Sequence, residues 1–148
     1  MQDSSTLMEP LRIEPYRGVG RLRFGMSDTE VIAMMGEPTL PMARRQGCDL
    51  WYFDKITLIF ENKSLVEIGC TRDSSTMING VDLFLDPFSF KKLCAMDGDP
   101  KEILGAIILF NLGISLTGFH DNDYDQLSVT AFEQGRWDSL RPKMRDYP

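Results

Sequence analysis

The chain passes twice through the same order of features, about sixty residues apart. Each copy has a polar helix start, a short apolar helix, a Gly-Glu-Pro or Gly-Asp-Pro ending and then three hydrophobic runs. The runs cover residues 50–53, 56–60 and 65–70 in the first copy, and 106–110, 114–116 and 127–132 in the second. Repeated units of this kind bury their apolar faces against each other. We therefore predict an α+β fold, a tandem repeat of a helix followed by three antiparallel strands, which forms one continuous sheet with the helices on one face.

The first helix has clear ends in the sequence. Ser27 can accept a hydrogen bond from the first turn, and Glu30, three residues later, can return one, which is a capping box. Gly36 and Pro38 end the helix, because glycine permits a left-handed turn and proline cannot continue the helical ladder.

The second helix is less sharply defined. Asp86 is a good N-cap and Pro87 a good first helical residue, which favours a helix over residues 88–95. The segment from Asp99 to Glu102 also fits a helix start. The sequence therefore leaves open whether the second half has one helix or two.

Alternation in the strands divides the sheet into two faces. Bulky residues at every second position share one face of a pleated strand. The residues predicted to face the helices are Ile56, Leu58, Phe60, Val66 and Ile68. The opposite face carries Thr57, Ile59, Glu67, Ser115, Thr117, Ser128 and Thr130. This polar face fits either the wet side of an antiparallel sheet or a platform on which a protein docks.

The ends of the chain and its cysteines indicate an intracellular, single-domain protein. We predict a flexible N-terminus over residues 1–10 and one domain over 11–148, made of half-repeats at about 18–72 and 80–133 with a C-terminal tail. The N-terminus lacks the pattern of a secretion signal, and no apolar run is long enough for a membrane span. Three widely spaced cysteines cannot all pair, so free thiols in a reducing compartment are expected. The predicted location is cytoplasmic.

The acidic loop of the second copy resembles the opening of a calcium loop without completing it. Asp121, Asp123 and Asp125 alternate, but Gln126 and Phe132 stand where that loop needs a glycine and a glutamate. The only histidine, His120, precedes this loop and fits a solvated turn. No other pattern of metal ligands, nucleophiles or phosphate-binding glycines stands out. We therefore predict no metal, no cofactor and no enzymatic activity.

Net charge narrows the class of partner. The chain carries a formal charge of −6 and has a pI of about 4.7. This charge would repel nucleic acid and anionic lipid, and it would attract a basic protein. The predicted partner is accordingly a protein, with no nucleic acid and no membrane.

A short motif in the first copy resembles a known repeat. It consists of residues 24–31, FGMSDTEV, residues 35–38, MGEP, and the strand residues Tyr52 and Leu58-Ile59-Phe60. The motif resembles the repeat unit of beta-lactamase-inhibitor-protein-like domains, and similar units occur among bacterial immunity proteins that neutralise polymorphic and contact-dependent toxins. Residues 18–70 match well and residues 80–132 in outline, because the second helix lacks the Gly-Met-Ser opening. The resemblance implies two units in one sheet whose exposed face or loops bind a protein.

Together these features predict a cytoplasmic immunity-type protein, a monomer or weak dimer, that neutralises a cognate toxin by stoichiometric binding. A basic nuclease-like effector would suit the charge. The alternative is a secretion chaperone or adaptor for an effector, since such proteins are also small, acidic and mixed α/β. The predicted partner-binding residues are those of the acidic loop and three aromatic anchors, of which Tyr124 lies in that loop: Asp121, Asp123, Tyr124, Asp125, Trp51 and Trp137.

Overall fold

The computed structural model describes residues 11–45, 47–71, 76–84, 89–118 and 127–147. In chain order the elements are β1 (Leu11–Glu14), β2 (Gly18–Val19), β3 (Leu22–Arg23), α1 (Asp28–Met35), β4 (Leu40–Arg45), β5 (Cys48–Tyr52), β6 (Ile56–Glu61), β7 (Ser64–Thr71), β8 (Thr76–Ile78), β9 (Val81–Asp82), α2 (Phe90–Asp97), β10 (Lys101–Ile103), β11 (Ala106–Leu109), β12 (Ile114–Thr117), β13 (Ser128–Phe132), a 3-10 helix (Asp138–Lys143) and β14 (Arg145–Asp146). The predicted α+β class is confirmed.

The strands form two sheets. A nine-stranded sheet has the order β14-β10-β11-β12-β13-β7-β6-β5-β4, and a five-stranded sheet has the order β3-β2-β1-β8-β9. The nine-stranded sheet is antiparallel, whereas β1 and β8 of the smaller sheet pair in parallel. The prediction of one continuous sheet is wrong, because the short strands before α1 and between the halves pair with each other instead.

Strands that follow each helix lie side by side in the nine-stranded sheet. Strands β4–β7 follow α1, β10–β13 follow α2, and the two groups meet where β7 pairs with β13. Each group has four strands, not the predicted three. The additional strands are β4 and β10, which lie at or near the sheet edges and lack the apolar alternation that predicts a strand. The second possible helix start, at residues 99–102, is also excluded because β10 begins at Lys101.

The N-terminal cap of α1 is the one that the sequence predicts. The Glu30 backbone amide donates to Ser27 Oγ at 3.2 Å, and the Ser27 amide donates to Glu30 Oε1 at 3.1 Å. The predicted capping box is therefore confirmed. Helix α2 begins at Phe90, two residues later than expected, and ends before Gly98, whose φ of 83° is left-handed. The expected cap residues Asp86 and Pro87 lie outside the described residues.

One face of the nine-stranded sheet, here called the inner face, belongs to the main core. It packs with buried residues of both helices and of the five-stranded sheet, including Val31, Met35, Phe90, Leu93, Leu11 and Ile13. Ile56, Leu58, Phe60 and Ile68 belong to this core, as predicted. Val66 is buried outside it, because a bulge after Ile59 places Leu65 opposite Phe60. The extra residue shifts the alternation by one position.

Candidate functional site

The other face of the nine-stranded sheet, the outer face, contains a groove across its centre. The groove holds about 170 Å³ and runs over β6, β7 and β13. Its lining residues are Thr57, Ile59, Glu67, Gly69, Cys70, Thr71, Ser128 and Thr130. Five of the residues predicted for the polar face are among them. The other two, Ser115 and Thr117, lie on β12 in register with Thr130 and Ser128.

Gly69 lies at the centre of the groove. Its cross-strand partners are Thr57 on β6 and Thr130 on β13. A Cβ atom on Gly69 would meet Thr130 Oγ1 at 3.5 Å and the Thr57 carbonyl oxygen at 3.7 Å, which are ordinary contact distances. Neither the backbone conformation of Gly69 nor the adjacent strands therefore require a glycine at this position.

A three-residue ion cluster lies beside the groove. Arg136 Nε donates to Glu67 Oε2 at 2.9 Å, and Arg136 Nη1 donates to Glu61 Oε2 at 2.5 Å. The Arg136 and Glu67 side chains are only 15% and 9% exposed, whereas Glu61 is 49% exposed. The cluster therefore consists of a buried ion pair between Arg136 and Glu67 and a second, solvent-exposed carboxylate on Glu61. Its formal charge is −1, from two carboxylates and one guanidinium.

Burial controls the electrostatics of this cluster. It raises the pKa of Glu67 above its usual value, although the hydrogen bond and charge of Arg136 act to lower it. Burial would also lower the pKa of Arg136, but its bonds to Glu67, Cys48 and Glu61 raise it well above the usual range. Arg136 therefore stays charged, and Glu67 is a desolvated carboxylate whose lost hydration one arginine does not fully replace.

A C-terminal strap, residues 133–147, covers another part of the outer face. Beneath it lie the outer-face residues Ile108, Phe110 and Phe132, packed against Trp137 and Met144 of the strap. The Arg141 guanidinium stacks over the Phe110 ring at 4.4 Å. The strap is tied down by ion pairs from Arg141 to Asp99, Arg145 to Glu102 and Lys101 to Asp146. Its 3-10 helix has no buried residue of its own.

The structure describes two of the three predicted aromatic anchors, Trp51 and Trp137, and does not bring them together. Trp51 is 5% exposed and packs in the main core, with its ring centroid 4.5 Å from that of Phe60. Trp137 is half-buried on the strap, on the opposite face of the sheet. Trp51 also lines a second depression of about 260 Å³, together with Asp28, Ala43, Arg44 and Asp49. Because little of its ring is exposed, Trp51 offers a partner less area than the sequence suggested.

The predicted acidic-loop residues lie outside the part of the chain that the structure describes. They are Asp121, Asp123, Tyr124 and Asp125. The prediction that they bind a partner therefore stays a prediction.

Two features of the groove, the contact of Arg136 with Glu67 and the position of Gly69, were not predicted from the sequence. Arg136 reaches Glu67 from 69 residues away, and no local pattern links the two. Gly69 carried a usable signal, because a glycine inside an alternating strand often marks a close approach by a ligand or another backbone.

The described residues offer little reactive chemistry. Among them, no group of three or more histidine, cysteine or acidic side chains is arranged to hold a metal ion. Burial raises the pKa of Cys70 to about 12 and that of Cys94 to about 11, so both thiols stay protonated at neutral pH. Within the same residues, no helix is long and apolar enough to cross a membrane.

Comparison of the chain with protein-family models, with curated proteins and with solved structures gives no match. The main features of the site are an open groove of small hydroxyl side chains, a buried carboxylate at its margin and a strap beside it.

Proposed function

We propose that this protein is an immunity-type inhibitor that binds a toxin protein stoichiometrically on the outer face of its nine-stranded sheet. The groove over Gly69 is the observation that carries the proposal. It lies in the middle of a sheet face where small side chains leave the surface recessed. Interfaces are built around such central recesses, into which a partner inserts one or a few anchor side chains.

The sheet topology supports the family resemblance on which the toxin partner rests. The four strands after each helix occupy mirrored positions on either side of the β7–β13 pair. We interpret this arrangement as two equivalent helix-plus-strands units, with the groove at their junction. The resemblance to beta-lactamase-inhibitor-protein-like domains implies that the exposed sheet face or the loops bind a protein, and the groove lies on that face.

The charge of the chain supports a basic partner. A protein of charge −6 accelerates its encounter with a cationic enzyme, and that acceleration falls with rising salt. An inhibitor benefits from fast capture because the free toxin acts on the cell until it is bound. A basic nuclease-like effector fits this requirement.

Affinity capture from the native host tests the proposal. We expect a one-to-one complex with a basic toxic domain, and rescue of growth when both genes are expressed together. Thr130→Arg places a long side chain in the groove and should abolish capture and rescue. Ala95→Arg is the matched control, since it adds the same side chain at an exposed position of α2.

Two outcomes would contradict the proposal. One is the absence of any captured toxin together with no rescue from a toxin encoded by a neighbouring gene. The other is equal capture by Thr130→Arg and Ala95→Arg, which would place the interface elsewhere. A dimer in light scattering that captures a secreted effector without inhibiting it would favour the chaperone alternative.

A further inference from the structure

Gly69 indicates that something approaches the sheet closely at this point. Glycine weakens a strand interior, because it gains no side-chain packing and loses more backbone freedom on folding than other residues. At Gly69 the space for a Cβ is present and the backbone does not need glycine. In many sheets an aromatic ring from a neighbouring strand covers such a glycine, but here both cross-strand partners are threonines. The recess therefore stays open to a group from outside.

The size of the groove fits one long side chain. Its volume is about 170 Å³. Sites for small organic ligands and cofactors usually enclose roughly 300 to 1,000 Å³. The groove is thus too small for a typical cofactor, whereas the stem and head of one extended side chain would fill it.

The chemistry of the groove fits a cation. One margin is formed by Glu67, which belongs to a cluster with one more carboxylate than guanidinium. The walls carry the hydroxyl groups of Thr57, Ser128 and Thr130, whose oxygens accept hydrogen bonds. Burial keeps the Glu67 carboxylate poorly hydrated, so a second cationic donor would stabilise its charged form. A planar guanidinium, with five N–H donors, suits a carboxylate flanked by several hydroxyl acceptors.

We infer that the groove over Gly69 binds a single arginine side chain that a protein partner presents. Its aliphatic stem lies over Gly69 and Ile59, and its guanidinium reaches Glu67 and the hydroxyl groups of the walls. The identity of the partner as a toxin rests on the proposed function, whereas the selectivity of the groove for arginine rests on the groove itself.

A titration with a minimal ligand tests this inference without the partner. The probe is N-acetyl-arginine amide, followed by amide and threonine-methyl NMR signals. We expect saturable shifts at Gly69, Thr57 and Thr130, with a dissociation constant of about 1 mM, as expected for one anchor side chain alone. The citrulline analogue has nearly the same shape but no charge, and it should bind about tenfold more weakly or not at all.

Three variants link the shifts to the groove. Gly69→Val fills the floor with a residue that strands favour, and it should abolish the arginine-dependent shifts. Ser115→Val is the matched control on the adjacent strand of the same face, outside the groove lining, and should keep them. Glu67→Gln preserves side-chain size and should weaken arginine binding about tenfold, so the test survives even if Gly69→Val fails to fold.

Equal binding of the arginine and citrulline probes would overturn the inference. So would saturation of the same signals by N-acetyl-tyrosine amide in preference to arginine, since an aromatic ring would then cover Gly69. Arginine binding without any captured toxin would leave the groove assignment standing and remove the proposed function. A captured toxin whose binding is unchanged by Gly69→Val and Glu67→Gln would do the reverse.

Discussion

Leu58, Ile68 and Leu116 are fully buried on the inner face of the nine-stranded sheet, while their chain neighbours Thr57, Gly69 and Ser115 stay half-exposed on the outer face. The inner face packs against two helices and a second sheet. The outer face keeps a glycine where a larger residue fits and a carboxylate where hydration is poor. The same strands thus stabilise the fold on one side and hold an open, polar recess on the other.

The largest expected effect of any change is on the inner face. Phe60→Ala removes a ring that is 1% exposed and packed on Trp51, and it should lower the free energy of unfolding by about 3–5 kcal/mol. Thr57→Ala, three positions earlier on the outer face, should change it by about 0.5 kcal/mol or less. Urea unfolding followed by tryptophan fluorescence measures both. Similar losses for the two variants would break the distinction between the faces.

A smaller loss is expected at the one buried ion pair of the groove margin. Arg136→Met leaves Glu67 buried without its guanidinium, which should destabilise the protein by about 2–3 kcal/mol, less than the roughly 3–5 kcal/mol of a fully buried pair because the Arg136 side chain is still 15% exposed. Arg44→Met is the control, because the exposed pair of Arg44 with Asp49 should contribute about 0–1 kcal/mol. The double variant Arg136→Met/Glu67→Met should lose less than the sum of its single changes. Additive losses would show that the pair is not coupled.

The pH dependence of stability should show that burial disfavours the charged form of Glu67. Its pKa is raised in the folded state, so the folded protein binds this proton more tightly than the unfolded chain does. The resulting stabilisation is fully present below about pH 4.5, the usual value, and is lost as pH rises through the folded-state pKa. Wild type should therefore gain stability relative to Glu67→Gln on acidification from neutral pH.

Urea midpoints of both proteins over this pH range provide the measurement. Glu37→Gln, at an exposed loop position, controls for the loss of one carboxylate. If wild type instead loses stability relative to Glu67→Gln as pH falls, the folded protein favours the charged form of Glu67, and the description of the groove margin is wrong.

The smallest effect is expected when the ion pairs that hold the C-terminal strap are weakened, and it should appear as faster amide exchange in the strap. Its ion pairs are partly exposed, and Asp99 contacts both Lys101 and Arg141. At about 1 M salt the screening length falls to roughly 3 Å, which weakens such pairs. Amide exchange at Met144 and Tyr147 should then become faster, and Asp99→Asn should mimic this at low salt. Exchange at Leu58 should not change, and a strap unaffected by salt would mean that its apolar contacts alone hold it.

Local patterns in the sequence predicted the parts of the fold that depend on neighbouring residues. The capping box of Ser27 and Glu30 located α1, and alternation placed Leu58 and Thr57 on opposite faces. The five-stranded sheet was missed because strands such as Gly18–Val19 are too short to show a period. Strands β4 and β10 were missed because residues near a sheet edge need no apolar alternation.

The candidate site was predictable in composition but not in geometry. The polar outer face followed from alternation, including Thr130 and Glu67. The groove margin depends on Arg136, which a turn after β13 brings to a strand far earlier in the chain. The burial of Trp51 was not predictable for a similar reason, since only the folded core shows how fully Phe60 and its neighbours cover the indole.

Methyl NMR of the protein in complex with its captured partner tests the central claim most directly. The threonine methyl signals of Thr57, Thr71 and Thr130 report on the groove, and the methyl signal of Ala95 reports on the exposed surface of α2. We predict that the partner shifts or broadens the three threonine signals and leaves Ala95 unchanged. A shift at Ala95 with unchanged threonine signals would place the partner on the helices and contradict the assignment of the outer face.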